Sequence, residues 1–252
     1  MPNGRSSRNP LNKKHRLDWP LAAVLGAHYL PDSANLGKLA HRWPSQVCQC
    51  LVNPVSLASF DVIVLTAGSS RRFPHGNKLA VRYQGAPLIT GILQTIAQLD
   101  FRRCIIVTGQ PYRNEIVEIL GAYPGWLECF NANASDGMAR SIAIGAAAVE
   151  GSSGVFICPA DMPGIGPLDF HLVASAFAGP DSICRPNFRG RPGHPVLFGS
   201  AYFAALRALT GDEGASSLVR QFQSRLIALE SGNRGVTLDF DTAYDFEKRE
   251  QL

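Results

Sequence analysis

The sequence predicts a three-layer α/β domain on a mostly parallel sheet, from about residue 59 to residue 252, and three observations carry that expectation. From Asp61 onward, short apolar runs alternate with segments whose apolar residues recur at helical spacing. Most of the short runs are apolar almost throughout rather than at every second position, so such strands need cover on both faces. The chain has 252 residues, 46% hydrophobic and 17% charged, enough to bury a substantial core.

Taken in order, the β-rich runs are D-V-I-V-L (61–65), R-C-I-I-V-T (103–108), L-E-C-F (127–130), G-V-F-I-C (154–158), S-I-C (182–184), P-V-L-F (195–198) and R-L-I-A-L (225–229). Between them fall helix-period segments at 88–99, 114–120, 138–149, 169–177, 201–209 and 215–222. In the first of these Leu88, Ile92, Ile96 and Leu99 form one apolar face, at spacings of four, four and three. No internal repeat interrupts the pattern.

Residues 1–58 differ from the rest. They hold seven Lys or Arg against Asp18 and Asp32, a balance of +5, which leaves the remainder at −1 from a total of +4. The basic character belongs to this leader and not to the body, which argues against a nucleic-acid groove. The leader reads as disordered or loosely docked. Asp18, Pro20 and His28 spoil its likeness to a secretory signal, and no apolar run reaches the length of a membrane span. Among the six cysteines, Cys104, Cys158 and Cys184 sit in or beside strand-like runs as small hydrophobes, and no spacing suggests structural zinc. A reducing cytoplasm is the expected compartment.

The stretch L-T-A-G-S-S-R-R-F-P-H-G-N-K-L (65–79) follows the first strand, at the edge where α/β sheets collect ligands. Gly68 permits close backbone approach, Ser69 and Ser70 can donate, and Arg71 or Arg72 with Lys78 can neutralise phosphate oxygens. Its spacing fits neither G-x-x-x-x-G-K-[ST] nor G-x-G-x-x-G. P-A-D-M-P (159–163) directly follows the strand 154–158, which holds Asp161 over the same edge, suited to a Mg²⁺ ion shared with substrate phosphates. D-F-D-T (239–242), after another strand-like stretch, offers Asp241 as a second metal carboxylate. A basic loop and two carboxylates at strand ends suit transfer at phosphorus.

These residues resemble the nucleotidyltransferases of glycosyltransferase-A-like, Rossmann-type fold, and most of all the molybdenum cofactor cytidylyltransferase group. The likeness runs through the loop, G-A-P-L-I (85–89), D-G-M-A-R-S-I (136–142), P-A-D-M-P, G-R-P-G-H-P-V-L-F (190–198), T-G-D-E-G-A (210–215) and D-F-D-T. It implies that Thr66, Ala67, Gly68 and Ser69 meet the nucleotide, that Arg72 and Lys78 hold the triphosphate, and that Asp161 and Asp241 bind Mg²⁺. It implies further that Gly137, Met138 and Ser141, at a helix start, contact the nucleotide. Arg185, Gly193 and His194 would face the acceptor; on chemistry alone His194 is equally a loop histidine bonded to backbone.

The implied reaction is attack by the terminal phosphate of the molybdopterin cofactor on the α-phosphate of CTP or GTP, releasing pyrophosphate, with a molybdenum hydroxylase as the client of the product. Ala67 and the G-H-P triplet agree with the cytidylyl type. Thr66 and Pro74 depart from the usual pattern on the nucleotide side, where the Thr66 hydroxyl either alters base contacts or packs in the strand and Pro74 stiffens the turn beside the triphosphate. Glu213 and Ser216 stand where arginines are frequent and leave the acceptor more open than the nucleotide. Two other readings stay open: a nucleotidyltransferase for a sugar phosphate or other phosphorylated alcohol, and a non-catalytic carrier of the cofactor.

Overall fold

The computed structural model describes residues 50, 54–68, 70, 73, 76–242 and 244–246. Its main sheet is built from β1 (Phe60–Leu65), β4 (Arg103–Gly109), β5 (Leu127–Asn131), β6 (Gly154–Pro159), β7 (Ile183–Phe188), β8 (Arg191–Pro192), β9 (Val196–Gly199) and β10 (Leu226–Glu230). The strand order is β10-β7-β9-β6-β1-β4-β5, with β8 paired to β7. A small antiparallel hairpin, β2 (Arg82–Tyr83) and β3 (Ala86–Pro87), lies apart from it.

The helices are α1 (Leu88–Ala97), α2 (Arg113–Leu120), α3 (Met138–Ala147), α4 (Pro167–Ser175), α5 (Phe203–Arg207) and α6 (Ser216–Gln221). Strand alternation sorts them into two layers. Val62 and Val64 of β1 join a core with α1, α2 and α4, while Ile63 between them joins a second core with α3, α5 and α6. Leu88, Ile89, Ile92, Leu93 and Ile96 are all buried on the inner face of α1. Phe101, Phe156 and Phe170 add edge-to-face contacts, each pair 5.5 Å apart between ring centres. The fold is the three-layer arrangement read from the sequence.

The strand 195–198 departs from a simple reading. It pairs antiparallel with both β6 and β7. Arg189 and Gly190, both at positive φ, close a tight β7–β8 hairpin that reverses the chain. With no crossover helix before it, β9 can only enter the sheet antiparallel. The other correction concerns Asp241, which does not follow a strand. After β10 the chain passes through a short 3₁₀ turn (Arg234–Thr237) and irregular backbone before D-F-D-T.

Ahead of β1 the described backbone is already packed. Leu57 is fully buried in the core, its N–H donates to Asp100 Oδ1 at 2.9 Å, and Ser56 Oγ donates to Asp100 Oδ2 at 2.7 Å. Most of the leader lies outside the described residues. Burial pushes the Cys104 and Cys184 thiols up to about 12, so they pack as inert hydrophobes. Among the described residues no helix is long and apolar enough to cross a membrane.

Candidate active site

Beyond the carboxyl ends of β1 and β6 opens a cavity of about 670 Å³. The parallel pairing of β1 with β4 and β6 brings three strand ends together, and this is why residues far apart in sequence meet there. Thr66, Ala67, Gly68, Lys78, Gly137, Met138, Ser141, Asp161, His194 and Asp241 all line it. Arg185 and Gly193 are not part of its lining. Ser69, Arg72 and Pro74 lie outside the described residues.

Lys78 is placed by its neighbours. Asn77 caps a short 3₁₀ turn (Lys78–Ala80), accepting from Leu79 N at 3.1 Å, and its amide donates to Glu115 Oε2 at 3.1 Å. Leu79 is anchored in the core, and Ser70 Oγ accepts from Lys78 N at 3.2 Å. With both flanks fixed, the Lys78 side chain reaches across the cavity floor. Its Nζ donates to Asp161 Oδ2 at 2.6 Å and to Asp241 Oδ1 at 2.8 Å. Burial by itself would lower this ammonium, but the two carboxylates outweigh that and hold it above the ordinary lysine range.

Asp161 is delivered by β6, whose end is tied to β1 through Ala160 N and Leu65 O at 3.2 Å. The same backbone holds the second carboxylate, since Phe240 N donates to Asp161 O at 3.0 Å. The two aspartates therefore converge on one cation from segments 80 residues apart. Among the described residues no group of three or more His, Cys, Asp or Glu forms a metal cage. A pair of carboxylates sharing one cation does fit Mg²⁺, which takes one or two carboxylates and completes its shell with water and phosphate oxygens.

Elsewhere in the lining, Gly137 opens α3 at φ 102°, where a Cβ would sit 2.3 Å from Asp212 Oδ1. Only glycine fits that turn under the 210–214 loop. Gly211 O accepts from Ala139 N at 3.3 Å, so one of the helix-start amides is already engaged. Met138 stays half exposed in the cavity wall, whereas Ser141 is buried and its Oγ accepts from Asn131 Nδ2 at 2.9 Å. Thr66 Oγ1 donates to Val107 O at 2.8 Å; its departure from the family pattern is absorbed by the adjoining strand. Glu213 pairs instead with Arg220 at the surface.

His194 is enclosed. Burial lowers its imidazole from the ordinary value, against the opposing pull of a backbone hydrogen bond with Ile157 and of Asp161 and Asp239. Its Nδ1 has no hydrogen-bond partner, and the same is true of Arg185 Nε and Asn187 Oδ1 on β7. Burial also lowers the Arg185 guanidinium. Gly193 works through backbone: its N–H donates to Pro186 O at 2.8 Å, and a Cβ there would strike Val236 O.

Sequence reasoning passed over Arg191, Asp212, Thr237 and Asp239, all of which line the cavity. Asp212 and Asp239 lie inside motifs already singled out, T-G-D-E-G and D-F-D-T, so their positions were within reach. Counting these, four aspartates face Lys78 and Arg191 among the described lining residues.

A mostly parallel sheet flanked by helices, with a glycine-containing loop after β1, is the Rossmann-like fold of nucleotidyltransferases. The chain matches the MobA-like NTP transferase domain over residues 62–226 and belongs to that family. It is 29% identical over 195 residues to the purine catabolism protein PucB of Bacillus subtilis, covering 73% of this chain and 93% of that one. A homologue of Mycobacterium tuberculosis Rv0371c from Mycobacterium sp. strain JC1 superposes with a TM-score of 0.67 at 22% identity, covering 77% and 96% of the two chains. Rv0371c itself, in complex with manganese, gives 0.62 at 22% identity, covering 77% and 98%.

Proposed function

We propose that this nucleotidyltransferase moves a nucleoside monophosphate, CMP in preference to GMP, from its triphosphate to the terminal phosphate of the molybdopterin cofactor. The observation that carries the reading is Lys78 Nζ bridging Asp161 and Asp241 on the cavity floor. An acceptor phosphate oxygen attacks the α-phosphorus, the bond from that phosphorus to the bridging oxygen breaks, and pyrophosphate leaves with the electron pair. No protein nucleophile is required, so catalysis rests on alignment and charge neutralisation.

Each side chain has a place in that scheme. The backbone at Ala67, Gly68 and Ser69, with Met138, would receive the nucleotide, and Arg72 would hold the triphosphate. Lys78 leaves the carboxylates as the triphosphate arrives and offsets charge on the α-phosphate. Asp161 and Asp241 would then hold Mg²⁺, which supplies charge stabilisation at the transferring phosphoryl group. The manganese complex of the mycobacterial neighbour supports a divalent ion in this fold. His194, its imidazole held below the ordinary range by burial, would face the acceptor, while Arg185 and Gly193, outside the cavity lining, would support that side. Ala67 and the G-H-P triplet favour CTP. The Bacillus relative's description, purine catabolism, agrees with a client molybdenum hydroxylase that oxidises purines.

The test is a panel of CTP, GTP, ATP and UTP with Mg²⁺ and molybdopterin cofactor, followed by pyrophosphate release. CTP should give the fastest release; release with GTP but not CTP would overturn the base assignment. Turnover with a sugar phosphate and none with molybdopterin would replace the acceptor.

A further inference from the structure

We propose that Asp169 is a positioning residue: through Ser231 and Asn233 its carboxylate sets the segment that carries Asp239 and Asp241, and with it the acceptor-side wall of the cavity. The metal role of Asp241 rests on the function proposed above; the clasp itself rests on geometry alone.

Asp169 lies in the first turn of α4 and is 4% exposed. Its Oδ2 accepts from Gly166 N at 2.9 Å, an ordinary helix-start bond. The other bonds reach far along the chain. Ser231 Oγ donates to Oδ1 at 2.9 Å, and Asn233 Nδ2 donates to Oδ2 at 2.7 Å. A helix cap alone does not call for a buried carboxylate, since caps of this kind work at the surface.

Both partners are themselves fully used. Ser231 Oγ accepts from Asn233 N at 3.0 Å, Asn233 Oδ1 accepts from Gly235 N at 2.8 Å, and Asn233 Nδ2 also donates to Gly164 O at 2.8 Å. Gly235 is thereby pressed against Gly164, where a Cβ would lie 2.1 Å from the Gly164 carbonyl oxygen. The next residue, Val236, accepts from His194 N at 2.8 Å, and Phe240 N bonds to Asp161 O. One buried carboxylate thus ties down the backbone from Ser231 to the 3₁₀ turn that borders His194, upstream of Asp241, whose own N–H donates to Asp245 Oδ2 at 3.1 Å. Among the described residues of the loop 65–79, none bonds to Asp169, Ser231 or Asn233.

The experiment compares the full-length chain with Asp169→Asn, which keeps the side-chain volume but turns one acceptor oxygen into an N–H₂ donor facing other donors. Hydrogen exchange read by mass spectrometry should quicken at least tenfold in peptides covering 231–241 and stay unchanged in those covering 62–80. Uniform quickening in both, or none at 231–241, would overturn the clasp. Manganese titration by electron spin resonance with CTP present should show at least tenfold weaker Mn²⁺ binding, with metal-free CTP binding unaltered. Unchanged Mn²⁺ affinity alongside faster exchange would reduce Asp169 to a structural role and overturn the proposal. A wild-type chain that binds no Mn²⁺ with any triphosphate defeats the metal reading and the role given to Asp241, while the exchange pattern still decides the clasp. Should Asp169→Asn fail to fold, Asn233→Ala carries the same expected pattern at smaller amplitude.

Discussion

The two walls of the cavity are built by different means. The nucleotide-side wall, Leu65–Gly68 with Lys78, is one short stretch after β1, anchored by near neighbours such as Asn77, Leu79 and Ser70. The opposite wall gathers Asp161, His194, Val236, Asp239 and Asp241 from three separate segments, held by backbone bonds such as His194 N to Val236 O. The first can be altered locally with local effect. The second depends on groups that never touch a ligand, so changes remote from the cavity should damage it.

The largest effects are expected where the walls meet. Asp161→Ala should abolish metal-dependent pyrophosphate release, and Lys78→Ala should slow it by about 10²–10³-fold, the usual cost of one group that stabilises developing charge. Thermal melts of both variants, run in parallel, separate lost chemistry from lost folding, since the Lys78 and Asp161 side chains are only 15% and 18% exposed. Near-wild-type turnover in Asp161→Ala would remove the metal assignment.

Next comes a change to the second wall made from a distance. Gly235→Ala forces a methyl group into the Gly164 carbonyl. Destabilisation of about 1–3 kcal/mol is expected, typical of overpacking, with acceptor KM raised more than nucleotide KM. Equal changes in both constants would mean that the two walls are not separable.

A smaller effect is expected at Thr66. Thr66→Val removes the hydroxyl that donates to Val107 O, at a cost of about 1 kcal/mol for one neutral hydrogen bond. The ratio of CTP to GTP turnover should not move; a shift would show that the hydroxyl reads the base.

The smallest concerns pH. Burial raises the Asp169 carboxyl to about 6, against the lowering effect of its bonds with Gly166, Asn233 and Ser231. Its unfolded value is near 3.9, so between these values the folded chain binds the extra proton. The stability linked to this group is fully present below about pH 4 and is lost as pH rises through 6. Urea melts across that window should show a flatter pH slope in Asp169→Asn than in the wild type.

Much of the first wall was legible in the sequence because its information is local. An apolar run fixes β1, Gly68 and Lys78 follow within fourteen residues, and P-A-D-M-P sits directly after another apolar run. The second wall was legible only in part. D-F-D-T stood out as a motif, but nothing in its surroundings shows that irregular backbone, and not a strand, delivers Asp241. Asp169 reads as an ordinary first-turn acid of a helix, and S-G-N (231–233) as an ordinary turn; their pairing exists only in three dimensions. The antiparallel β9 was hidden for a related reason, since P-V-L-F has the composition of a buried strand in either direction. Of the two readings open for the Thr66 hydroxyl, base contact or packing in the strand, its bond to Val107 O favours the second.

The central claim is that Lys78, Asp161 and Asp241 form a metal-assisted centre for transfer at phosphorus. Its most direct test is pyrophosphate release from CTP with molybdopterin cofactor, measured with Mg²⁺ and again with excess chelator. Release should require the ion and disappear in Asp241→Ala as well as in Asp161→Ala. Equal release with and without the ion, or full activity in both variants, would contradict the account.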